Sequence, residues 1–354
     1  MVSLSWRRSL DPAEATAVLD LLAAAEAVDG TGGVSEDVRL TLRPDQPLPS
    51  GGHLLAHPDG GTGAAAAGPG RAPVVGYAHL GGADRSRQAE LVVHPDHRRR
   101  GIGTRMVQAL VEATAAGAAT GAPAEGGRGD ETLLNIWAHG DLPAAAALAA
   151  RTGFRRSRVL LQLRLPHEVE LPDPQLPPGV TVRTFQVGRD EHAWLALNAA
   201  AFAHHPEQGR WTIDDLRARE EEPWFDPAGF FLAERGGRLV GFHWTKVHPH
   251  DPTPPGGPQA AAGAPPIGEV YVIGVAPGEG GAGLGRALTL IGLHHLRSVG
   301  AGSGMTAVLL YVDEDNERAV RLYEGLGFRR YFADVSYSRA VPAAGRADGW
   351  AHAG

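Results

Sequence analysis

The chain carries two copies of one pattern, and that repeat constrains its fold more than any other feature. Leu91-Val92-Val93-His94-Pro95, followed by Arg98-Arg99-Arg100-Gly101-Ile102-Gly103-Thr104, returns 182 residues later. The second copy reads Ile273-Gly274-Val275-Ala276-Pro277, then Gly280-Gly281-Ala282-Gly283-Leu284-Gly285-Arg286. Upstream, Val74-Val75-Gly76-Tyr77-Ala78 matches Leu239-Val240-Gly241-Phe242-His243. Downstream, Asn135-Ile136-Trp137 through Gly153-Phe154 matches Leu309-Leu310-Tyr311 through Gly327-Phe328 without a gap. Three landmarks in one order mean two copies of one domain. A chain of 354 residues gives each copy enough sequence for its own core.

Each copy predicts the same elements. An apolar strand (74–80, 239–247) ends in a Gly/Pro-rich loop, and a second strand (89–93, 269–275) leads into a Gly-rich turn. The turn opens a helix with an apolar stripe at 3.6-residue spacing, Ile102, Met106, Leu110 in one copy and Leu284, Leu288, Ile291 in the other. A third strand (132–138, 306–312) precedes a short helix that ends at a glycine before Phe154 or Phe328. Strands alternating with helices indicate an α/β fold. Residues 60–70, 117–129 and 249–266 read as flexible loops. The division expected is a domain over 1–165, a proline-rich linker over 166–179, a second domain over 180–341 and a disordered tail over 342–354.

The formal net charge of −7 argues against nucleic acid as a main partner. The absence of cysteine removes disulfides, thiolate metal sites and thiol nucleophiles. The first apolar run, residues 17–25, is interrupted by Asp20 and is too short to cross a bilayer. With Arg7-Arg8 before it and acidic residues after, it does not suit a signal peptide, so a cytoplasmic protein with no membrane partner is expected.

Closely spaced glycines between a strand and a helix expose backbone N–H groups at the positive end of the helix dipole, which suits a phosphate or pyrophosphate. The same turn also arises simply to connect elements, but here it occurs twice behind the same Val-x-Pro. Neither copy has the Gly-x-Gly-x-x-Gly of a Rossmann turn or the Gly-Lys-Ser/Thr of a P-loop.

Arg98-x-x-Gly101-x-Gly103 after an apolar strand resembles the acetyl-CoA pyrophosphate loop of GCN5-related N-acetyltransferases (GNAT). Asn316-x-x-Ala319-x-x-Leu322-Tyr323-x-x-Leu326-Gly327-Phe328 resembles that superfamily's closing helix and strand. More narrowly, Ala201-Phe202, His205-Pro206-Glu207-Gln208-Gly209, Trp224-Phe225-Asp226-Pro227, Gly241-Phe242-His243-Trp244-Thr245-Lys246 and Glu269-Val270-Tyr271 resemble the actinobacterial mycothiol synthase family. The N-terminal half matches more loosely, around Ser35-Glu36 and 90–104. The resemblance implies two tandem GNAT-type domains, each a mixed, mostly antiparallel sheet flanked by helices.

It also implies acetyl-CoA as co-substrate, with no metal. The contacting residues it implies are Leu91, Val92, Val93, Arg99, Arg100, Gly101, Ile102, Gly103 and Thr104 in the first copy. In the second they are Ile273, Gly274, Val275, Gly280, Gly281, Ala282, Gly283, Leu284, Gly285 and Arg286, together with Asn316, Glu317, Arg318, Ala319, Val320 and Arg321. The second loop has Gly280 where the first has Arg98, so it is expected to cradle pyrophosphate almost entirely with backbone. The triple arginine makes the first loop the better anion site, expected to bind acetyl-CoA without catalysing.

Acetyl transfer to an amine needs a base, an oxyanion donor and an acid for the leaving thiolate. By sequence offset, Glu269 aligns with Arg87, Tyr323 with Ala149 and Asn316 with Leu142. The expectation is one working active site, in 180–340, with Glu269 as base through a water and Tyr323 as acid. The resemblance places an oxyanion donor at the backbone N–H after Val275. For the substrate it implies Glu36, Glu207, Lys246, Glu269 and Tyr311, Glu36 closing one wall of the cleft; a Glu at that position also fits a helix's first turn. His204-His205 and His248-x-His250 lack a third ligand at helical spacing, so no metal site is expected.

Three functions follow: acetylation of the cysteinyl amine of desacetylmycothiol (Cys-GlcN-Ins) to give mycothiol and CoA; acetylation of another amine, such as an aminoglycoside or a peptide N-terminus; or a non-catalytic acetyl-CoA sensor. The retained Glu269, Tyr323 and Asn316 count against the sensor. A monomer is expected.

Overall fold

The computed structural model describes residues 2–42, 51–59, 73–82, 85–120, 131–203, 208–249 and 265–343, without the side chains of residues 36 and 118–120. The expected loop 60–70, most of the other two and the tail from 344 lie outside these residues. The described residues form two compact units. One takes residues up to Val159 and resumes at Ala333; the other runs from Leu160 to Phe332.

In the first unit β1 (Val2–Arg7), β2 (Gly52–Pro58), β3 (Gly76–Gly81) and β4 (Ser86–Val93) pair antiparallel in sequence order. β4 pairs parallel with β5 (Glu131–His139). In the second unit β7 (Val180–Thr184), β8 (Phe230–Arg235), β9 (Arg238–His248) and β10 (Ile267–Val275) repeat that antiparallel run, and β10 pairs parallel with β11 (Ala307–Asp313). The two copies therefore share a mixed, mostly antiparallel sheet.

The sixth strand of each sheet comes from the other half of the sequence. β12 (Arg329–Pro342) supplies Asp334–Pro342, antiparallel to β5, while β6 (Arg155–Pro166) supplies Leu160–Pro166, antiparallel to β11. This differs from a division at 166–179. Apolar strands such as Val-Leu-Leu-Gln-Leu-Arg-Leu announce themselves in sequence, but which sheet edge they complete is a matter of tertiary pairing.

Helices cover both faces of each sheet. Beside β4 lies α3 (Ile102–Thr120), whose Ile102, Met106, Val107 and Leu110 are buried with Leu54, Ala78 and Leu134. The helix continues through Gly117, expected in a loop, because the surrounding alanines are the best helix formers. On the other face, α1 (Pro12–Asp29) starts from an Asp11/Glu14 capping box, and α2 (Glu36–Leu40) is capped by Ser35.

In the second unit α7 (Leu284–Gly300) packs on one face, and α5 (Glu191–Ala201) with α6 (Ile213–Glu220) on the other. Trp194, Phe230, Phe242 and Trp244 are fully buried there, each contributing roughly 1.5–3 kcal/mol or more. Close packing sets local rules: a Cβ on Gly292 of α7 would overlap the His243 imidazole. The proline-rich run belongs to this unit: His167 N–H donates to Thr306 O (2.9 Å), His294 Nε2 to Pro172 O (3.1 Å), and Arg297 to Val169 O.

Candidate active site

β9 and β10 build the site. Gly268 faces α7, since a Cβ there would meet Leu296 at 3.1 Å. Side chains alternate along a strand, so Glu269 projects from the opposite face, together with its register partner Lys246. The register then slips between Val270 and Val272, leaving Tyr271 as a β-bulge. The parallel register with β11 covers only Gly268–Val270, so the two strands part just past Glu269.

Glu269 is buried, and its Oε2 lies 2.5 Å from His248 Nε2. The Lys246 ammonium sits 4.4 Å from the Trp224 ring centre and 5.4 Å from that of Tyr271, a cation–π arrangement. Arg219 lies 3.8 Å over Trp211, and its Nε donates to Tyr271 Oη (3.0 Å). Burial raises the Tyr271 phenol above its ordinary range. Trp211, Trp224, Tyr271, Arg219 and His248 are functional candidates that sequence reasoning left without a role. Tyr271 shares this face with Glu269 by alternation, and the bulge it forms has no signature in the sequence.

Beyond the parting of β10 and β11, the strand runs into the Gly-rich turn. Gly281 (φ 96°) and Gly283 (φ 86°) hold left-handed backbone, and their missing Cβ positions open on space. Gly283 caps α7 with no side-chain bond, so the first N–H groups of the helix face the turn without a capping side chain. The turn is not all backbone, because the Arg318 guanidinium lies 3.2 Å from where a Gly280 Cβ would stand. The expected oxyanion donor needs correcting: the N–H after Val275, that of Ala276, donates to Val240 O (2.9 Å). Successive strand N–H groups point to opposite edges, so those of Val275 and Ile273 face the parted side instead.

α8 (Glu317–Glu324) carries the rest. Asn316 is its cap, accepting from Ala319 N–H at 3.2 Å. Glu317 pairs with Arg321 (2.8 Å) on the exposed face, and Val320 is buried in the core. Leu284 and Ile102 are likewise core residues, and Gly274 makes room for the Phe242 ring, so only the backbone of these three is free to meet a ligand. Tyr323 is buried against Phe328, and burial pushes its phenol up to about 12. Tyr311 is exposed on β11, its Oη accepting from Gln162 Nε2 (2.9 Å). Glu36 opens α2, its side chain outside the described residues, as are Glu207, His204, His205 and His250. Among the described residues no three His, Cys, Asp or Glu side chains gather as a metal site, and no helix is long and apolar enough to cross a membrane.

In the first unit the matching strand has no bulge. Gly81 faces Gln88 where Lys246 faces Glu269, so the structural counterpart of Glu269 is Gln88, one residue past the Arg87 given by sequence offset. An amide replaces the carboxylate. Ala149 and Leu142 stand where the second copy has Tyr323 and Asn316. Gly101 (φ 79°) opens on space, as Gly283 does, and Arg99 (φ 62°) and Arg100 are exposed. Arg98 is held by two 2.7 Å bonds to Asp29 and a 3.0 Å bond to Val93 O.

The comparisons with known proteins agree with this geometry. The acetyltransferase (GNAT) family matches residues 194–328, and an acetyltransferase (GNAT) domain matches residues 66–156. Among solved structures, a GCN5-related N-acetyltransferase from Sphaerobacter thermophilus aligns with a TM-score of 0.66 at 22% identity, covering 96% of each chain. A tandem GNAT protein from the clavulanic acid biosynthesis pathway aligns with a TM-score of 0.63 at 19% identity, covering 98% of this chain and 100% of its own. The chain belongs to the tandem GNAT acetyltransferases and, within them, to the mycothiol acetyltransferase family. The mycothiol acetyltransferase of Parafrankia sp. (strain EAN1pec) is 61% identical, covering 96% of this chain and 99% of its own. That of Frankia casuarinae is 58% identical over 98% and 100%.

Proposed function

We propose that the second unit transfers the acetyl group of acetyl-CoA to the cysteinyl amine of desacetylmycothiol, giving mycothiol and CoA. The observation that carries this reading is the buried Glu269 beside Lys246, on the strand that parts from β11 and runs into the Gly-rich turn. The turn's backbone and Arg318 would hold the pyrophosphate, and the parted edge of β10 would receive the thioester. Glu269 takes the amine proton, directly or through a water, as nitrogen attacks the thioester carbon. The N–H of Val275 or Ile273 stabilises the oxyanion. Tyr323, a phenol and so protonated at neutral pH, donates to the leaving thiolate. Lys246 and the aromatic rings around it suit a polyhydroxylated ligand with a free amine; Tyr311, Glu207 and Glu36 are its proposed further contacts.

The first unit, with Gln88 and Ala149 in place of base and acid, is proposed to bind acetyl-CoA without turnover. Its open Gly101 turn supports this, with exposed Arg99 and Arg100 as the phosphate contacts because Arg98 is committed to Asp29. Acetyl-CoA as donor and a chain without cysteine suit a cytoplasmic setting. A CoA-release assay comparing desacetylmycothiol with glucosamine and a panel of peptide amines tests the substrate. Strong preference for desacetylmycothiol is expected; equal rates would favour a different amine, and no release a sensor. Calorimetry with acetyl-CoA should count two sites.

A further inference from the structure

His248 is the last residue of β9, two residues beyond Lys246, and so projects from the same face as Glu269. The 2.5 Å contact between His248 Nε2 and Glu269 Oε2 is a short, charge-assisted hydrogen bond. The two side chains are 16% and 10% exposed, the imidazole lying on the more open side of the pair. Among the described residues, Lys246 on β9 stands in register with Glu269, and Tyr271 on β10 lies within electrostatic reach of Glu269 and also of Arg219 and Glu222, from α6 and the turn after it. Lys246 is stacked over Trp224 and Tyr271, and Arg219 bonds Tyr271 Oη and Asp215 O. Among the described residues, the imidazole is the side chain bonded to the Glu269 carboxylate.

A buried base that collects a proton in every turnover needs a way to lose it. We infer that His248 is that outlet, a proton relay acting through Glu269; the inference rests on Glu269 being the base. As the N–C bond forms, the amine proton passes to Glu269. At rest the imidazole Nε2–H donates to the carboxylate. Once Glu269 is protonated, tautomer exchange through solvent moves the imidazole proton to Nδ1, the carboxyl proton passes to Nε2, and the Nδ1 proton leaves to solvent. Both groups end with the protons they began with.

The experiment measures kcat, acetyl-CoA KM and rescue by added imidazoles of graded basicity in the full chain. His248→Ala should lower kcat by about 10²-fold, the low end of the range for proton transfer, with the KM for acetyl-CoA unchanged. Imidazoles should restore the rate in order of basicity, and His248→Gln, which keeps a donor beside Glu269 but cannot relay, should be as slow and not be rescued. Wild-type rate in either variant overturns the relay. So does a His248→Ala loss that imidazoles do not restore, which marks a merely structural contact. Glu269→Gln separates the two readings: a slow, unrescued Glu269→Gln beside an unimpaired His248→Ala leaves the base standing and removes the relay, whereas a fast Glu269→Gln removes the base itself.

Discussion

At the residue scale, the chemistry of the proposed site depends on a few groups whose surroundings differ sharply. Glu269 is buried but bonded to His248 and faces Lys246 in register, so its carboxylate has nearby positive or hydrogen-bonding partners. Glu269→Gln keeps the shape and removes the proposed base. It is expected to lower kcat by about 10²–10⁴-fold, with acetyl-CoA binding little changed by calorimetry. Lys246 is expected to act differently. It neither donates to nor accepts from a reacting atom in the mechanism above, so Lys246→Ala should raise the KM for the amine with a smaller effect on kcat, the signature of lost ground-state binding. Steady-state kinetics with desacetylmycothiol separates the two patterns.

Elements decide which residues meet. α8 brings Arg318 to the Gly-rich turn from a point more than thirty residues downstream, giving the turn a guanidinium that its own sequence lacks at Gly280. A charge-assisted bond to phosphate is worth about 1.5–3 kcal/mol. Arg318→Ala should therefore raise the KM for acetyl-CoA by about 10–100-fold, with kcat nearly kept, measured by varying acetyl-CoA at saturating amine. In the first unit, a network joins four elements. Glu90 of β4 accepts from Ser35 N–H (2.7 Å) and Oγ (2.8 Å) at the head of α2, while His139 of β5 lies 3.4 Å from Glu90 and 3.0 Å from Asp334 of β12. Burial lowers the proton affinity of His139, but its bonds to Asp334 and Glu90 outweigh that and lift it to about 10.

A histidine raised in the folded state adds stability that is complete below its unfolded value near 6.5 and is lost as pH rises toward 10. Glu90 is held below its ordinary value, burial being outweighed by His139 and Ser35, so its part is lost only in acid. His139→Gln should thus lower the melting temperature most near pH 6, and the difference from wild type should shrink steadily toward pH 10. Thermal melts of both proteins across that interval measure it.

At the scale of the whole molecule, the exchange of the sixth strands means that neither half of the sequence is self-sufficient. A fragment starting at Gly179 lacks Leu160–Pro166 and leaves β11 without its antiparallel partner; a chain ending at Phe332 strips Asp334–Pro342 from β5. An unpaired edge beside an apolar face favours aggregation. Both truncations are expected to be markedly less stable than the full chain, and residues 160–332 to be better behaved than 179–354. Solubility and cooperative melting of the fragments test this.

Much of this was present in the sequence by itself. The repeat, the two Gly-rich turns, the 3.6-residue stripes of the long helices and the absence from the first copy of a carboxylate and phenol matching Glu269 and Tyr323 are all local patterns. They depend on residue type and spacing, which the chain carries wherever it goes. The tertiary structure alone decided the rest. A one-residue bulge moved the counterpart of Glu269 from Arg87 to Gln88, because strand register is fixed by pairing and not by sequence offset. Hydrogen bonding across the sheet took the Ala276 N–H out of play as a donor. Each closing strand came from the other half of the sequence, Arg318 reached a turn it does not adjoin, and His248 met Glu269 because antiparallel pairing brings β9 back alongside β10. Such meetings depend on which surfaces pack together, and no periodicity in one segment records the partner waiting in another.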